Sequence, residues 1–498
     1  MLTLADVYEG LVGFRPSGTE RIAITDVVVD SRKAQPGALF VALKGDRHDG
    51  HDFIKEALEH GAAAVIAEER VQGLGLGSDV HMIPADAAGG AAPNLQQEVG
   101  APPGLEPLVP IVFVAKSSLA ALQRVAGFWR CRFNCRVIGI TGSVGKSSTK
   151  ELVAAVLRQR FETLKSIGNL NNEIGLPLTL LKLNERHKYA VLEMGTYALG
   201  EIQRLCEIAQ PSVGIVTKVG PSHLERLGTI DRIAQAKAEL VQALPDEGIA
   251  ILNGDDPYVR PMQEKTRARA FLYGLEPQND LWADSIESDG LEGIAFDLHR
   301  AEEKLHVHVP LLGRHSVQTA LAAASVGLVE EIPWYDILNG LQDVSAQLRL
   351  IAVHGEKGTT LLDDTYNASP DSSLAALNLL AELSGRKVAV LGDMLELGAI
   401  EEQGHRVVGG RAAEVVQVLI AVGSRGKWIG EAAQEAGLRD TYWAEDNEQA
   451  LEVLRDVIQA GDMILVKGSR GAKMEEIVAA LARPVENGTA EGNGWLGP

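Results

Sequence analysis

RVIGITGSVGKSSTK, residues 136–150, passes from a short apolar run into a glycine-rich turn and then into a Lys-Ser-Ser-Thr-Lys segment. Val137, Ile138 and Ile140 suit a buried parallel strand. From Ser147 to Arg160 the residues favour a helix with Leu152, Val153, Val156 and Leu157 on one side. Strand, glycine turn and helix are the parts of a nucleotide phosphate cradle. Thr141, Gly142, Ser143, Val144 and Gly145 let backbone N–H groups curl around phosphate oxygens, and the helix start adds a favourable dipole. Lys146 supplies a point charge, Ser147 a hydroxyl for Mg²⁺, and Ser148 a second hydroxyl beside it. The position five before Gly145 is Ile140 rather than Gly, so the stretch departs from the strict Walker pattern. A turn that uses glycine for geometry alone would leave the lysine and the hydroxyls at the helix start unexplained.

At 498 residues the chain is too long for one ordinary core, and about 100–200 residues per domain gives three. A formal net charge of −20 argues against a nucleic-acid binder, which would show a basic face. The phosphate ligand is therefore expected to be a nucleotide. Three cysteines, Cys131, Cys135 and Cys206, form no zinc set and fit a reducing compartment. The first residues, MLTLADVYEGL, carry acids where a signal peptide needs a basic region, and no apolar run reaches about 18 residues. A cytoplasmic enzyme without stable membrane association is expected.

Residues 1–110 form a first expected α/β module, with apolar runs at Ala23 to Val29, Ala38 to Leu43 and Ala62 to Ala67 and a helical pattern from Phe53 to His60. The Gly-, Pro- and Ala-rich stretch 71–110 reads as a flexible insertion. A second module, 111–345, holds the phosphate loop and alternates strands with helices, which means a parallel sheet with covered faces. At its edge, Asp280 to Pro310 alternates as a β-meander, and Ser316 to Val329 closes the module as a helix. A third Rossmann-like module covers 346–485, with strands expected at Thr360 to Asp364, Lys387 to Leu391, Val416 to Val422 and Met463 to Val466. Residues 486–498 read as a disordered tail.

YAVLEMG, residues 189–195, is an apolar strand ending in an acid. Glu193 is therefore placed at the carboxyl edge of the sheet, where open α/β folds bind ligands, and is a candidate Mg²⁺ ligand as well as a candidate capping acid. His223 follows another strand and could ligate metal, although Mg²⁺ prefers oxygen. Lys237 lies in the helical run IDRIAQAKAELVQAL, where a lysine of an acidic protein is ordinarily solvated.

These segments together resemble the Mur ligase family. The resemblance covers Asp30 to about Leu481: PGALFVALKGDRHDGHDFI in the first module; TGSVGKSSTKE, GNLNNEIGLPLTLL, LEMG, SHLERLGTIDRIAQAKAEL and LLGRHSVQTALAA in the second; LLDDTYNASPDSSLAAL, VLGDMLELG and VKGSRGAKMEEIV in the third. It implies a three-domain α/β architecture, with a central ATPase domain flanked by a UDP-sugar-binding domain and a ligase domain. It also implies ATP-dependent amide synthesis through an acyl phosphate. NLNNEIGLP and VLGDMLELG point to the branch of the family that joins D-alanyl-D-alanine to UDP-N-acetylmuramoyl-tripeptide. Two anions must meet in that reaction, and at an effective dielectric of about 20 a like-charge pair about 4 Å apart costs roughly 4 kcal/mol. Lys146 and Mg²⁺ offset that repulsion.

By the same resemblance, Lys146, His223 and Lys237 are the catalytic residues. Ser147 and Glu193 bind one Mg²⁺, while His223 and a carbamylated Lys237 help hold a second. Asp30, Ser31, Arg32 and His51 in its Asp49-Gly50-His51 turn hold the UDP-sugar, and Asn169, Asn171 and Thr196 also contact substrate. His315 stands on the adenine side. The family pattern has Asn directly after that His and again four positions after it, where this chain has Ser316 and Thr319, so base binding would pass to His315 or Gln318. Arg349 approaches the phosphates, Asp364 the ribose, and Asn367, Lys467 and Ser469 the dipeptide. A monomer that closes on a hinge at Val344 to Arg349 follows from this layout. The alternatives are a neighbouring amide ligase of the diamino-acid-adding, folate or cyanophycin type, and a non-catalytic nucleotide-binding regulator.

Overall fold

The computed structural model describes residues 1–45, 48–76, 80–85, 110–222, 224–343 and 350–483. Three sheets follow one another along the chain, with five, nine and six strands. Their inner strands are runs of Val, Ile, Leu and Ala buried on both faces, the composition a covered parallel sheet requires.

The first sheet has the order Val27–Val28, Leu39–Val41, Ala64–Glu68, Ile111–Ala115 and His81–Pro84, all parallel. This corrects the sequence reading twice. Residues 81–84 are a strand rather than part of an insertion, and Ile111 belongs to the first sheet rather than opening the second module. The cause is packing, since Ile111–Ala115 is gripped between two strands and buried Phe113 meets the Tyr8 ring edge-on at 4.9 Å. Of the rest of the expected insertion, 77–79 and 86–109 lie outside the described residues, as does the tail from 484.

Helix Ser118–Cys131 then crosses to the second module, packing on Leu4–Val12 on one side and on Gly175–Leu180 and Glu201–Ala209 on the other. One apolar cluster consequently runs from Leu4 and Leu39 to Leu192 and Ile208, so the first two modules share a core.

The second sheet runs Glu303–Val309, Ile294–Arg300, Leu281–Ser288, Arg269–Gly274, Ile249–Asn253, Val213–Val216, Arg136–Thr141, Tyr189–Glu193, Thr163–Lys165. The expected meander is present as three antiparallel strands at one edge. Arg136–Thr141 has Tyr189–Glu193 on one side and Val213–Val216 on the other. The strand order reverses there, and a doubly wound sheet opens a crevice beyond the carboxyl ends at such a point. Helix Lys146–Arg158 leaves that end and is covered by Val317–Val329 and Trp334–Leu341. The crossing with the latter is so close that a Cβ on Gly340 would stand 2.4 Å from Val156 Cα.

The third sheet runs Ile351–His354, Thr360–Asp364, Met463–Lys467, Lys387–Gly392, Val418–Val422, Thr441–Ala444, parallel except at its first pair. Its two edge strands, Ile351–His354 and Thr441–Ala444, were not anticipated. Both are only four residues long and mostly exposed, unlike the buried inner strands that the sequence reading picked out. The apolar clusters of this module contain none of the buried residues of the other two. Polar contacts join it to the second module: Lys218 to Asp371 at 3.0 Å, Arg314 to Glu382 at 3.5 Å, and Glu225 N–H to the Glu396 carbonyl at 3.4 Å. The expected hinge at 344–349 lies outside the described residues.

Candidate active site

The turn after Thr141 is locked by its neighbour strand. Ser143 N–H donates to the Lys218 carbonyl at 2.7 Å, and Ser143 Oγ both donates to the Gly220 carbonyl and accepts from its N–H. Thr217 Oγ1 donates to the Val144 carbonyl at 2.7 Å. Gly142 has φ of 150°, and a Cβ there would fall 1.9 Å from Thr217 Oγ1, so only glycine lets the two loops close on each other. Lys146 opens the helix and curls its Nζ onto the Gly142 carbonyl at 2.8 Å, over the mouth of the turn.

Register then places the acid. Ile140 pairs with Glu193, so the strand that ends at Glu193 delivers its carboxylate to the root of the phosphate turn. Glu193 is 1% exposed; its Oε2 accepts from Ser147 Oγ at 2.6 Å and its Oε1 from Asn171 Nδ2 at 2.8 Å. Lys237, on helix Ile230–Gln242, is buried and lines the same cleft. Among the described residues it has no hydrogen-bond or carboxylate partner. Burial, and then the Lys146 ammonium, push its pKa well below the ordinary lysine value. His223, the other expected catalytic residue, lies outside the described residues, as does Arg349. Those described contain no group of three or more His, Cys, Asp or Glu that could hold a metal by themselves.

The third module faces this edge across a cleft of about 820 Å³. Strand Met463–Lys467 carries Lys467 to the rim, where Nζ donates to Asp364 Oδ2 at 2.6 Å and to the Asn367 carbonyl at 2.8 Å. Two loops are bound side by side there: Ser469 N–H donates to the Asp393 carbonyl, and Leu395 N–H to Ser469 Oγ, each at 2.9 Å. Buried His405 fastens the second loop. Its Nε2 accepts from Met394 N–H at 2.9 Å, which leaves Nδ1–H to donate to the Glu401 carbonyl. His315 opens onto the cleft, where crowding by surrounding protein and the Lys467 ammonium lower its pKa to about 4.

The cleft thus brings together Ser143 to Lys146, Ser148, Asn169, Asn171, Glu193, Thr196, Lys237, His315, Asp364, Asn367, Lys467 and Ser469. Thr141 and Ser147 sit buried just beneath it. Thr196 spends its hydroxyl on the Ala198 carbonyl at 2.6 Å. Asp364, expected at a ribose, is ion-paired to Lys467. Gln318 lies outside the lining, its Nε2 donating to Asp255 at 2.8 Å. Asp30, Ser31, Arg32 and His51 do not line the cleft. Asp30 is bound by Arg32, which holds its carboxyl at about 2, and Ser31 Oγ donates to Glu56 at 2.6 Å. His51 is buried between the Asp49 carboxylate and the Glu68 N–H. Sequence reasoning passed over Tyr197, Tyr366, Leu395, Glu396 and Arg470, which also line the cleft. Position within a loop gives no rule for which side chain points inward.

Comparison with known proteins finds relatives along almost the whole chain. Residues 140–327 match the Mur ligase middle domain, 348–470 the Mur ligase glutamate ligase domain and 23–88 the Mur ligase catalytic domain. The UDP-N-acetylmuramoyl-tripeptide–D-alanyl-D-alanine ligase of Bacillus subtilis is 35% identical, over 93% of this chain and 94% of its own. The ligase of the same name from Mycobacterium tuberculosis is 36% identical over 96% of each. Among solved structures, MurF from Acinetobacter baumannii matches with a TM-score of 0.78 at 29% identity, covering 95% of this chain and 97% of that one. The MurF ligase of Thermotoga maritima in complex with ADP matches at 0.72 and 27% identity, covering 91% and 96%.

Proposed function

The chain belongs to the Mur ligase family, and from that premise we infer that it joins D-alanyl-D-alanine to UDP-N-acetylmuramoyl-tripeptide in peptidoglycan precursor synthesis. It is an ATP-dependent ligase that forms a C–N bond and releases ADP and phosphate. The observation that carries this reading is the cleft itself, with a phosphate loop on one wall and the Lys467–Ser469 rim of a separate module on the other.

In the proposed mechanism the phosphate turn binds the β- and γ-phosphates through its N–H groups, and Lys146 swings from the Gly142 carbonyl onto their oxygens. The tripeptide carboxylate attacks the γ-phosphorus, and the dipeptide amine then displaces phosphate from the acyl phosphate. Ser147 and Glu193 fit Mg²⁺, because a hydroxyl and a carboxylate oxygen already converge at 2.6 Å while Asn171 orients the carboxylate. Mg²⁺ is commonly held by one or two carboxylates plus substrate phosphates, so no larger cluster is needed. Bound there, the ion would neutralise charge on the transferring phosphoryl group. Lys237 fits carbamylation: CO₂ reacts with a neutral amine, and burial beside Lys146 favours that form. The carbamate would offer oxygen to a second Mg²⁺ with His223. His315, kept neutral, borders the adenine side; Asn367, Lys467 and Ser469 border the dipeptide; Asp30, Ser31, Arg32 and His51 form the UDP-sugar end on the first module.

Every group invoked belongs to one chain, so we take a monomer as the working unit. No helix among the described residues is long and apolar enough to cross a membrane. Reliance on ATP and a UDP-linked sugar places the reaction in the cytoplasm. Phosphate release measured on a panel of UDP-muramoyl peptides, with and without D-alanyl-D-alanine, tests the reading. Release is expected only when tripeptide and dipeptide are both present; release with a single amino acid as acceptor would assign the chain to another ligase class.

A further inference from the structure

Five lysine and arginine side chains line the cleft: Lys146, Arg204, Lys237, Lys467 and Arg470. Four have a task. Lys146 is curled over the phosphate turn, and Lys237 is buried beside it. Lys467 is ion-paired to Asp364 at 2.6 Å, while Arg204 binds Glu207 and Gln123, each at 3.1 Å. Arg470, which is exposed, has no carboxylate within ion-pair distance among the described residues. It is nonetheless held in place. It opens the short 3₁₀ turn Arg470–Ala472 directly after buried Ser469, whose N–H and hydroxyl are both bound to the 393–395 loop. Its guanidinium carbon stands 6.0 Å from the centre of the Tyr366 ring, a cation–π distance.

A positioned guanidinium with no carboxylate partner among the described residues, facing a substrate cleft, is a carboxylate receptor in waiting, because its fork matches a carboxylate with two parallel hydrogen bonds. The reaction brings carboxylates of two origins to this cleft. The reacting carboxylate of the tripeptide must lie at the phosphate turn on the second module. Arg470 sits on the third, next to the Lys467–Ser469 rim assigned above to the dipeptide.

We propose that Arg470 is the specificity-determining residue that binds the free C-terminal carboxylate of the incoming D-alanyl-D-alanine, thereby orienting its amine toward the acyl phosphate. This rests on the ligase reading of the preceding subsection. It explains in chemical terms how the enzyme would select a dipeptide with a free terminus over an amidated or extended acceptor.

The test compares D-alanyl-D-alanine with its C-terminal amide in the wild-type enzyme and in Arg470→Ala and Arg470→Lys, at saturating ATP and UDP-muramoyl-tripeptide. For wild type, kcat/KM for the amide is expected to be about 100-fold below that for the acid, the scale of a charge-assisted hydrogen-bonded pair. In Arg470→Ala the acid should fall to the level of the amide, with KM for ATP unchanged, and Arg470→Lys should recover part of the preference. A structural role alone would lower both acceptors equally and leave their ratio intact. The proposal is overturned if wild type uses both equally, or if Arg470→Ala keeps the preference. It is also overturned if Arg470→Ala raises KM for the UDP-peptide instead. Should Arg470→Ala fail to fold, the acid-to-amide ratio in Arg470→Lys decides. Absence of any dipeptide-dependent phosphate release in wild type would refute the ligase reading itself, a separately visible outcome.

Discussion

At Lys237, burial and a neighbouring ammonium act in the same direction, and both favour an uncharged amine. An amine held so has two fates: to remain an inert buried group or to react with CO₂. Lys237→Ala separates them. Phosphate release is expected to fall by about two orders of magnitude or more, as for loss of a group that stabilises transferring charge, and to return in part when short carboxylic acids are added. Normal activity without rescue would refute the carbamate. The periodicity of IDRIAQAKAELVQAL could not reveal this, since a 3.6-residue repeat marks a lysine's face but not how deep the cleft is beneath it. His315 is a second residue governed by its surroundings. With its pKa lowered from 6.5 to about 4, the ring is neutral at neutral pH in both the folded and the unfolded chain. As pH falls through 6.5 the unfolded chain takes up the proton first, so this residue withdraws stability progressively down to about 4. A histidine C–H titration by NMR should find its midpoint well below 6.5, and a midpoint at or above that value would be the contrary result.

At the scale of elements, the phosphate-loop helix is held by how closely other helices approach it. Gly340 lets Trp334–Leu341 rest on the backbone of Val156, and Gly327 on Val317–Val329 lets that helix close on Trp334–Leu341 in turn, its Cβ position lying 2.6 Å from Ile337. Gly340→Ala should therefore cost about 1–3 kcal/mol by overpacking, read as a lowered thermal midpoint. Because the strain enters the helix that begins at Lys146, affinity for an ATP analogue should decline along with it. An unchanged midpoint would mean that the helices slide apart freely. The phosphate turn, the meander and the helix ending at Val329 were all legible in the sequence, because each has strong periodicity or an unambiguous glycine pattern. Strand His81–Pro84 was not. It is short, half exposed and surrounded by Gly and Pro, and only its pairing with Ile111–Ala115 makes it a strand.

For the whole molecule, the distribution of apolar contact decides what can move. The first and second modules share one cluster, whereas the third meets the second through separated polar contacts such as Lys218 with Asp371. Closure should then be motion of the third module alone. Small-angle scattering with an ATP analogue and the UDP-muramoyl-tripeptide is expected to give a smaller radius of gyration than the free protein. An identical radius would argue against closure. The three-module order could be read from strand–helix alternation, but the fusion of the first two could not, because it depends on a helix, Ser118–Cys131, that faces both.

That fusion also constrains length. The Asp30-Ser31-Arg32 turn and the Lys146 turn belong to modules locked together by a common core, and the former stands outside the cleft. With the uridine end held at one and the reacting carboxylate at the other, as proposed above, the substrate becomes a measuring rod between two fixed stops. Each peptide residue extends the rod by at most about 3.3–3.6 Å, whereas reaction demands atoms within about 3.5 Å of each other. A peptide one residue short would leave its carboxylate stranded, and one residue long would carry it past the phosphate. The rigid pair of modules would thus count residues before any side chain is read.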